Sequence, residues 1–212
     1  MEEQLKNLIE RYPQLSVCKE DIKNAYIILE SAYKNGRKLL VCGNGGSASD
    51  SEHIVGELMK EFKLKRMVFS DHAAALKAID PELGQVLADH LQGALPAISL
   101  TGHSSLQTAY MNDAVPELVY AQQVNGYGKP GDVFLGISTS GNSKNVLYAA
   151  VNAKAKGLKV IGLTGAKENR LMKYADVCIR VPEKETYKIQ ELHLPVYHCL
   201  CLMLEEKFFG AK

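Results

Sequence analysis

The sequence predicts an α/β protein with a doubly wound, five-stranded parallel sheet that is flanked by helices. Five short runs of the 212-residue chain are almost continuously apolar, as strands buried on both faces of a parallel sheet should be. Stretches with helical spacing separate most of these runs, which is the alternation typical of α/β folds. Hydrophobic residues make up 46% of the chain, which is enough for a sizeable core. The predicted strands cover residues 38–42, 97–100, 132–137, 159–163 and 177–181.

Residues 1–36 are predicted to form an N-terminal helical segment ahead of the first strand. Apolar residues recur at helical spacing over 16–34, and Asn35-Gly36 is a typical helix end. A second helix, over 48–62, follows the first strand and carries an apolar arc along one face.

Residues 63–96 are predicted to be an extended helical connection between the first two strands. It contains a helix over 81–92, because Asp80-Pro81 is typical of a helix start and Gly93 of a helix end. No linker, repeat or low-complexity segment divides the chain, so we expect one domain over residues 1–212.

Composition and charge exclude several classes of partner. A net charge of +1 gives no reason to expect nucleic acid or an anionic membrane surface as a partner. The first 13 residues lack the apolar core of a signal peptide, and no run of 18 apolar residues occurs. The five cysteines contain no C-x-x-C pair and are expected to be reduced core thiols. We therefore expect a cytoplasmic protein that does not enter membranes.

A glycine-rich turn over residues 42–47 leads from the first strand into the following helix. Its glycines allow positive φ angles and close approach of the backbone, and Ser47 with Asp50 has the spacing of a helix N-cap. Further along the same helix, His53 and Glu57 lie four residues apart and hence on one face. The turn predicts an anion site at a helix N-terminus, with a possible acid/base pair beside it. The alternative for His53 and Glu57 is an ordinary surface pair.

A second polar loop, over residues 136–143, follows the third strand and enters a helix near Lys144. Its four hydroxyls, its glycines and the helix N-terminus form a phosphate cradle, and both loops should open at the carboxyl edge of the sheet. The alternative is a Ser/Thr-rich turn with no function. Neither G-x-G-x-x-G nor G-K-S/T occurs in these loops, so no nucleotide cofactor is expected.

Together these motifs resemble the sugar isomerase (SIS) domain family, and specifically its phosphoheptose isomerase branch. The resemblance rests on the turn over 43–47, His53 with Glu57, the loop over 136–143, and residues 189–193 with His198. It implies a flavodoxin-like SIS fold and a homotetramer with a sugar phosphate as its small-molecule substrate. The implied reaction converts sedoheptulose 7-phosphate to D-glycero-D-manno-heptose 7-phosphate.

The resemblance also implies a role for each matching residue. Glu57 and His198 correspond to the catalytic acid/base pair. The residues implied to bind substrate or its phosphate are Asn44, Gly45, Gly46, Ser47, Asn112, Asp113, Ser138, Thr139, Ser140, Ser143 and Gln190. The ligands of the Zn²⁺ that some members bind correspond to His53, Glu57, Gln190 and His198.

The chemistry of an aldose–ketose isomerase agrees with that assignment. A proton moves between adjacent carbons through an enediol, and another moves between their oxygens, so a carboxylate and an imidazole are suitable partners. On one continuous helix, however, Gln190 and His198 would lie roughly 12 Å apart. Either Pro195 bends the helix between them, or the two residues serve sites formed with different subunits. We expect active sites that are shared across an oligomer interface.

Two other functions stay open at this stage. A non-catalytic SIS regulator or adaptor would keep the fold and the serine loop without needing Glu57 and His198. An isomerase for a different sugar phosphate would keep both. Tyr187-Lys188 stands where phosphoheptose isomerases have an acidic residue and arginine, and the 63–96 connection is longer than in those enzymes, so the substrate is less certain than the reaction type.

Overall fold

A computed structural model describes residues 1–210 and contains the predicted parallel sheet. Its strand order is β2-β1-β3-β4-β5 and all four strand pairs are parallel, so the doubly wound, flavodoxin-like prediction is confirmed. The strands are β1 (Leu39–Cys42), β2 (Ala97–Ser99), β3 (Val133–Ile137), β4 (Lys159–Thr164) and β5 (Val177–Arg180).

The described residues form nine α-helices, with three short 3₁₀ turns between them. The α-helices are α1 (Glu2–Arg11), α2 (Lys19–Lys34), α3 (Gly46–Met59), α4 (Ser70–Ile79), α5 (Pro81–His90), α6 (Ser104–Asp113), α7 (Val119–Tyr127), α8 (Lys144–Ala155) and α9 (Thr186–Phe209). The helix predicted over 16–34 begins later than expected, because Pro13 starts a 3₁₀ turn that runs to Cys18. None of the helices in the described part of the chain could span a membrane.

Alternate strand residues face two separate cores, which explains why the strand sequences are almost continuously apolar. In β1, Leu39 and Val41 belong to a core that includes residues of α1, α2 and α9, whereas Leu40 and Cys42 belong to a core with residues of α7 and α8. Both layers are needed to bury the sheet. The N-terminal helical segment therefore completes the fold rather than extending from it.

Helix α9 is the longest element and runs without interruption through Pro195. Pro195 therefore does not end the helix. Gln190 and His198 therefore lie on one helix, eight residues and roughly 12 Å apart.

The 63–96 connection forms a helical hairpin. The predicted second helix is present as α5, and the Oδ1 atom of Asp80 caps it by accepting bonds from the N–H groups of Glu82 and Leu83 at 2.9 and 2.8 Å. Helix α4, which the sequence pattern did not predict, forms the other half. A Cβ atom at Gly84 would overlap the backbone of Leu76, so the two helices pack closely at this glycine.

Candidate active site

The glycine turn after β1 has the backbone freedom that the sequence predicts, but it starts α3 differently. Gly45 has a φ of +56° and is the N-cap residue, so the helix begins at Gly46 and Ser47 lies inside the first turn. The predicted N-cap role of Ser47 is therefore wrong, because the positive φ of Gly45 admits the chain to the helix two residues earlier. A Cβ at Gly43 would lie 2.6 Å from the Cβ of Ser47, and one at Gly46 would lie 2.5 Å from Nε2 of Gln190. Only glycine fits at these two positions without a shift of its neighbours.

The second loop, between β3 and α8, holds its hydroxyls in fixed positions. The Oγ atoms of Ser138 and Ser143 are 3.0 Å apart, and Gly141 turns the chain with a φ of +63°. The side-chain amide of Asn142 donates to the carbonyl of Ser140 at 2.9 Å. Ser140 is exposed and Thr139 half-buried, so both hydroxyls are accessible at the N-terminal end of α8. This arrangement can donate O–H and N–H groups to a phosphate.

Asn145 and Tyr120, which were not among the predicted site residues, hold the two loops in place. The amides of Asn44 and Asn145 are paired reciprocally at 3.0 and 2.8 Å, and the hydroxyl of Tyr120 donates to the carbonyl of Gly43 at 2.7 Å. Both loops leave the carboxyl ends of the neighbouring strands β1 and β3, where the strand order reverses. This switch point is where doubly wound sheets bind their ligands.

His53 and Glu57 form the pair that their spacing predicts, and a chain of hydrogen bonds extends it. Nε2 of His53 is 3.0 Å from Oε1 of Glu57, and Nδ1 is 3.0 Å from the hydroxyl of Tyr197. That hydroxyl donates to Oδ1 of Asp50 at 3.2 Å and therefore accepts from the Nδ1–H of His53. The imidazole of His53 thus lies between the carboxylate of Glu57 and the hydroxyl of Tyr197. Tyr197 and Asp50 orient the imidazole through Nδ1, the nitrogen that does not contact Glu57.

His198 joins this pair from helix α9. Its ring centroid is 5.0 Å from that of His53, and burial, followed by the charge of His53, lowers the pKa of His198. Among the described residues, Nε2 of His198 and Oε2 of Glu57 are both buried without a hydrogen-bond partner. The ring also borders a cavity of about 280 Å³ between α1 and α9. His198 and Glu57 thus lie on either side of His53, and each keeps a polar atom that could exchange a proton with a substrate.

The four implied zinc ligands do not gather at one point of the described chain. Gln190 packs against Gly46 at the start of α3, whereas His53 and Glu57 lie further along α3 and His198 contacts His53 from α9. No group of three or more His, Cys, Asp or Glu side chains within residues 1–210 is arranged to hold a metal ion. The two unpartnered atoms of Glu57 and His198 fit a bound cation only in part. We therefore derive no step of the reaction through a metal.

Asn112 and Asp113 are paired with each other. They end helix α6, they are exposed, and the amide of Asn112 donates to the carboxylate of Asp113 at 2.8 Å. In the described part of the chain, no hydrogen bond connects them to either loop. Within one chain, the turn over 44–47 therefore lies beside the loop over 138–143, and Glu57 and His198 form a separate group. Asn112 and Asp113 belong to neither group.

His193 is completely buried one turn beyond Gln190, and burial lowers its pKa to about 4. Its ordinary pKa is near 6.5, so below pH 6.5 the unfolded chain binds a proton that the folded chain refuses until about pH 4. Stability should therefore fall on acidification, by up to about 1.4 kcal/mol per pH unit from this group. Urea unfolding between pH 7.5 and 4.5 should show a shallower pH dependence for His193→Gln than for wild type. The exposed control His72→Gln should keep the wild-type slope, and equal slopes for all three proteins would contradict the assignment.

Comparison with known proteins agrees with the fold and the loops. The model of the SIS domain family matches residues 3–92 and 74–165. The chain is 41% identical over 187 residues to a phosphoheptose isomerase of Nitratiruptor, a match that spans 88% of this chain and 86% of that protein. It is similar to the solved structure of a phosphoheptose isomerase from Francisella tularensis, with a TM-score of 0.76, 30% identity, and coverage of 95% and 94% of the two chains. For phosphoheptose isomerase GmhA from Neisseria gonorrhoeae the TM-score is 0.70, at 28% identity and 95% and 98% coverage. The chain therefore belongs to the SIS domain family, in its phosphoheptose isomerase branch.

Proposed function

We propose that this chain is an aldose–ketose isomerase that converts sedoheptulose 7-phosphate to D-glycero-D-manno-heptose 7-phosphate. The observation that carries the proposal is that Glu57 and His198 both lie against His53, and that each has a buried polar atom without a partner among residues 1–210. A phosphate cradle occurs on the same chain, and the names of the relatives support the substrate. A binding module would need the cradle alone.

In the proposed mechanism, the free Oε2 atom of Glu57 removes the proton from the carbon next to the carbonyl. The resulting enediol is reprotonated on the neighbouring carbon by the same carboxylic acid. His198, whose lowered pKa keeps it neutral near pH 7, moves the second proton between the two oxygens. The hydrogen bond from His53 holds Oε1 of Glu57, so the other oxygen is directed to the substrate.

The active site is proposed to be shared between subunits of a homotetramer. Ser47 in the turn and Glu57 are ten residues apart on α3, which separates their backbones by roughly 15 Å. The phosphate cradle and the acid/base pair of one chain could therefore bind the two ends of one sugar phosphate only if that molecule were extended. A cradle from one subunit and an acid/base pair from another remove this difficulty.

Mixing two inactive variants tests the shared site. Glu57→Gln and the double variant Ser138→Ala, Ser140→Ala should each have little activity. Co-expressed subunits should regain up to about a quarter of wild-type activity. With random assembly, that fraction of sites combines an intact cradle with an intact acid/base pair. Co-expressed subunits as inactive as either parent would contradict sharing. So would a monomeric variant with full activity.

We further propose that the enzyme works in the cytoplasm, where free thiols such as those of its five cysteines stay reduced. We include a Zn²⁺ ion in the proposal only at a site between subunits. One subunit would supply His53, Glu57 and His198, and another would supply Gln190. Bound there, the ion would polarise the substrate carbonyl. Elemental analysis of the purified oligomer, before and after chelation, decides whether zinc is present.

The experiment that tests the function is a panel of ketose phosphates of different chain length followed by NMR. Sedoheptulose 7-phosphate should be converted fastest. Faster conversion of another member would show an isomerase of different specificity, for which the Tyr187-Lys188 departure offers a reason. Binding of a sugar phosphate without any turnover would instead identify a phosphosugar sensor or adaptor.

A further inference from the structure

The helical hairpin formed by α4 and α5 exposes an unusual amount of apolar surface. Seven large hydrophobic side chains between residues 67 and 91 are between 41% and 85% exposed. We name these residues the hairpin patch. They are Met67, Phe69, Ile79, Leu83, Val86, Leu87 and Leu91.

Within residues 1–210, the rest of the chain leaves the hairpin patch exposed. Helix α4 buries none of its residues, and α5 buries only Gly84 and Ala88. These two lie four residues apart on the face of α5 that packs against α4, whereas Leu83, Val86 and Leu87 lie on the neighbouring, solvent-exposed face. Helices of ten residues are marginal in water and depend on packing of an apolar face. The hairpin therefore needs a covering partner.

We propose that the partner is a second copy of this chain, and that two hairpins pair through α5 about a twofold axis. The first argument is the area. At the exposed fractions given above, the hairpin patch offers roughly 700 Å² of apolar surface, of which the three side chains on α5 supply less than half, against ~800 Å² from each partner in a standard interface.

The second argument is the pattern of α5, which is self-complementary. Leu83, Val86 and Leu87 recur at the spacing of a helix–helix contact, and ionisable residues lie only at its edges and end, at Glu82, Asp89 and His90. An antiparallel pair centred on Val86 brings Glu82 of one copy beside His90 of the other. The twofold axis repeats this acid–imidazole contact. Charged groups thus border an apolar centre, as in stable interfaces.

This contact goes beyond the proposed isomerase function, because no residue of the hairpin patch belongs to the phosphate cradle or to the acid/base pair. It gives a role to the 63–96 connection, which distinguishes this chain from the pattern expected of phosphoheptose isomerases. Whether the isomerase reaction occurs has no bearing on the test, since the readout is the state of association.

The first measurement is the mass of the wild-type oligomer and of two variants by light scattering after size-exclusion chromatography. Val86→Glu places two carboxylates at the centre of the contact and should halve the mass of the oligomer. Leu106→Glu changes an apolar residue of α6 that is 40% exposed and should leave the mass unchanged. An unchanged mass for Val86→Glu would overturn the proposal.

A second measurement does not depend on weakening the contact. Val86→Cys should form an intermolecular disulfide under mild oxidation, because the twofold axis brings the two introduced thiols together. Leu106→Cys is the matched control, and the native cysteines on the wild-type chain give the background. Cross-linking of Val86→Cys at no more than the rate of Leu106→Cys would show that something other than a second hairpin covers the patch, and would overturn the proposal.

Discussion

Replacing Glu57 by glutamine is expected to lower kcat of the isomerisation by about 10²- to 10⁴-fold, the usual contribution of a general base. Glutamine keeps the size of the side chain and can still accept a bond from His53, but it cannot take a proton from carbon. KM should change little, because the phosphate cradle is intact. His198→Ala should cause a loss of similar order, since the second proton then lacks a carrier.

The matched control for Glu57→Gln is Glu52→Gln on the same helix. Glu52 is exposed and accepts a bond from the hydroxyl of Thr101 at 3.0 Å, so its loss should leave kcat within a factor of two or so of wild type. If Glu57→Gln retained wild-type kcat while both proteins were folded, Glu57 would not be the base. The alternative of an ordinary helix pair between His53 and Glu57 would then stand.

Replacing Arg66 by methionine is expected to have the largest effect on stability, a loss of about 3 to 5 kcal/mol. Arg66 and Glu205 are each 1% exposed, and Nε of Arg66 is 2.8 Å from Oε1 of Glu205. The guanidinium also donates to the carbonyls of Glu57 and Leu58, both at 2.9 Å. Methionine would leave a buried carboxylate without its cation and the end of α3 without its cap.

Chemical denaturation of Arg66→Met measures this loss, with Lys159→Met as the control. Lys159 is paired with Asp176 at 3.4 Å at an exposed site, where such pairs contribute about 0 to 1 kcal/mol. Because Arg66 binds the main chain of Glu57 itself, kcat should also fall in the folded fraction of Arg66→Met. A destabilisation below 1 kcal/mol would show that the buried pair does not hold the end of α3.

The sheet could be predicted from the sequence because its evidence is local. Each strand is an apolar run between helical stretches. Successive strand residues face the two cores in turn, so every position in the run must be apolar. The turn over 42–47 and the loop over 138–143 were equally visible, since glycines and hydroxyls at the ends of strands have few other uses. Helix α4 was not predicted from the sequence, and none of its residues is buried in the structure.

Contacts between distant segments could not be predicted. The amide pair of Asn44 and Asn145 joins residues 101 positions apart, and the bond between Tyr197 and Asp50 spans 147 positions. Neither residue pair has a local pattern that would indicate its partner. The S-x-x-D spacing predicted Ser47 as the N-cap of α3, which is wrong. Gly45 is the N-cap because its backbone adopts a positive φ angle, and a spacing pattern of side chains does not reveal this.

The measurement that tests the isomerase proposal most directly is NMR of sedoheptulose 7-phosphate with the enzyme in D₂O. An enediol mechanism with Glu57 as base exposes the abstracted proton to exchange with solvent. The account therefore predicts D-glycero-D-manno-heptose 7-phosphate that carries deuterium on the carbon next to the carbonyl, and no product with Glu57→Gln. Saturable binding of sedoheptulose 7-phosphate by the wild-type protein, with neither product nor deuterium incorporation, would contradict it.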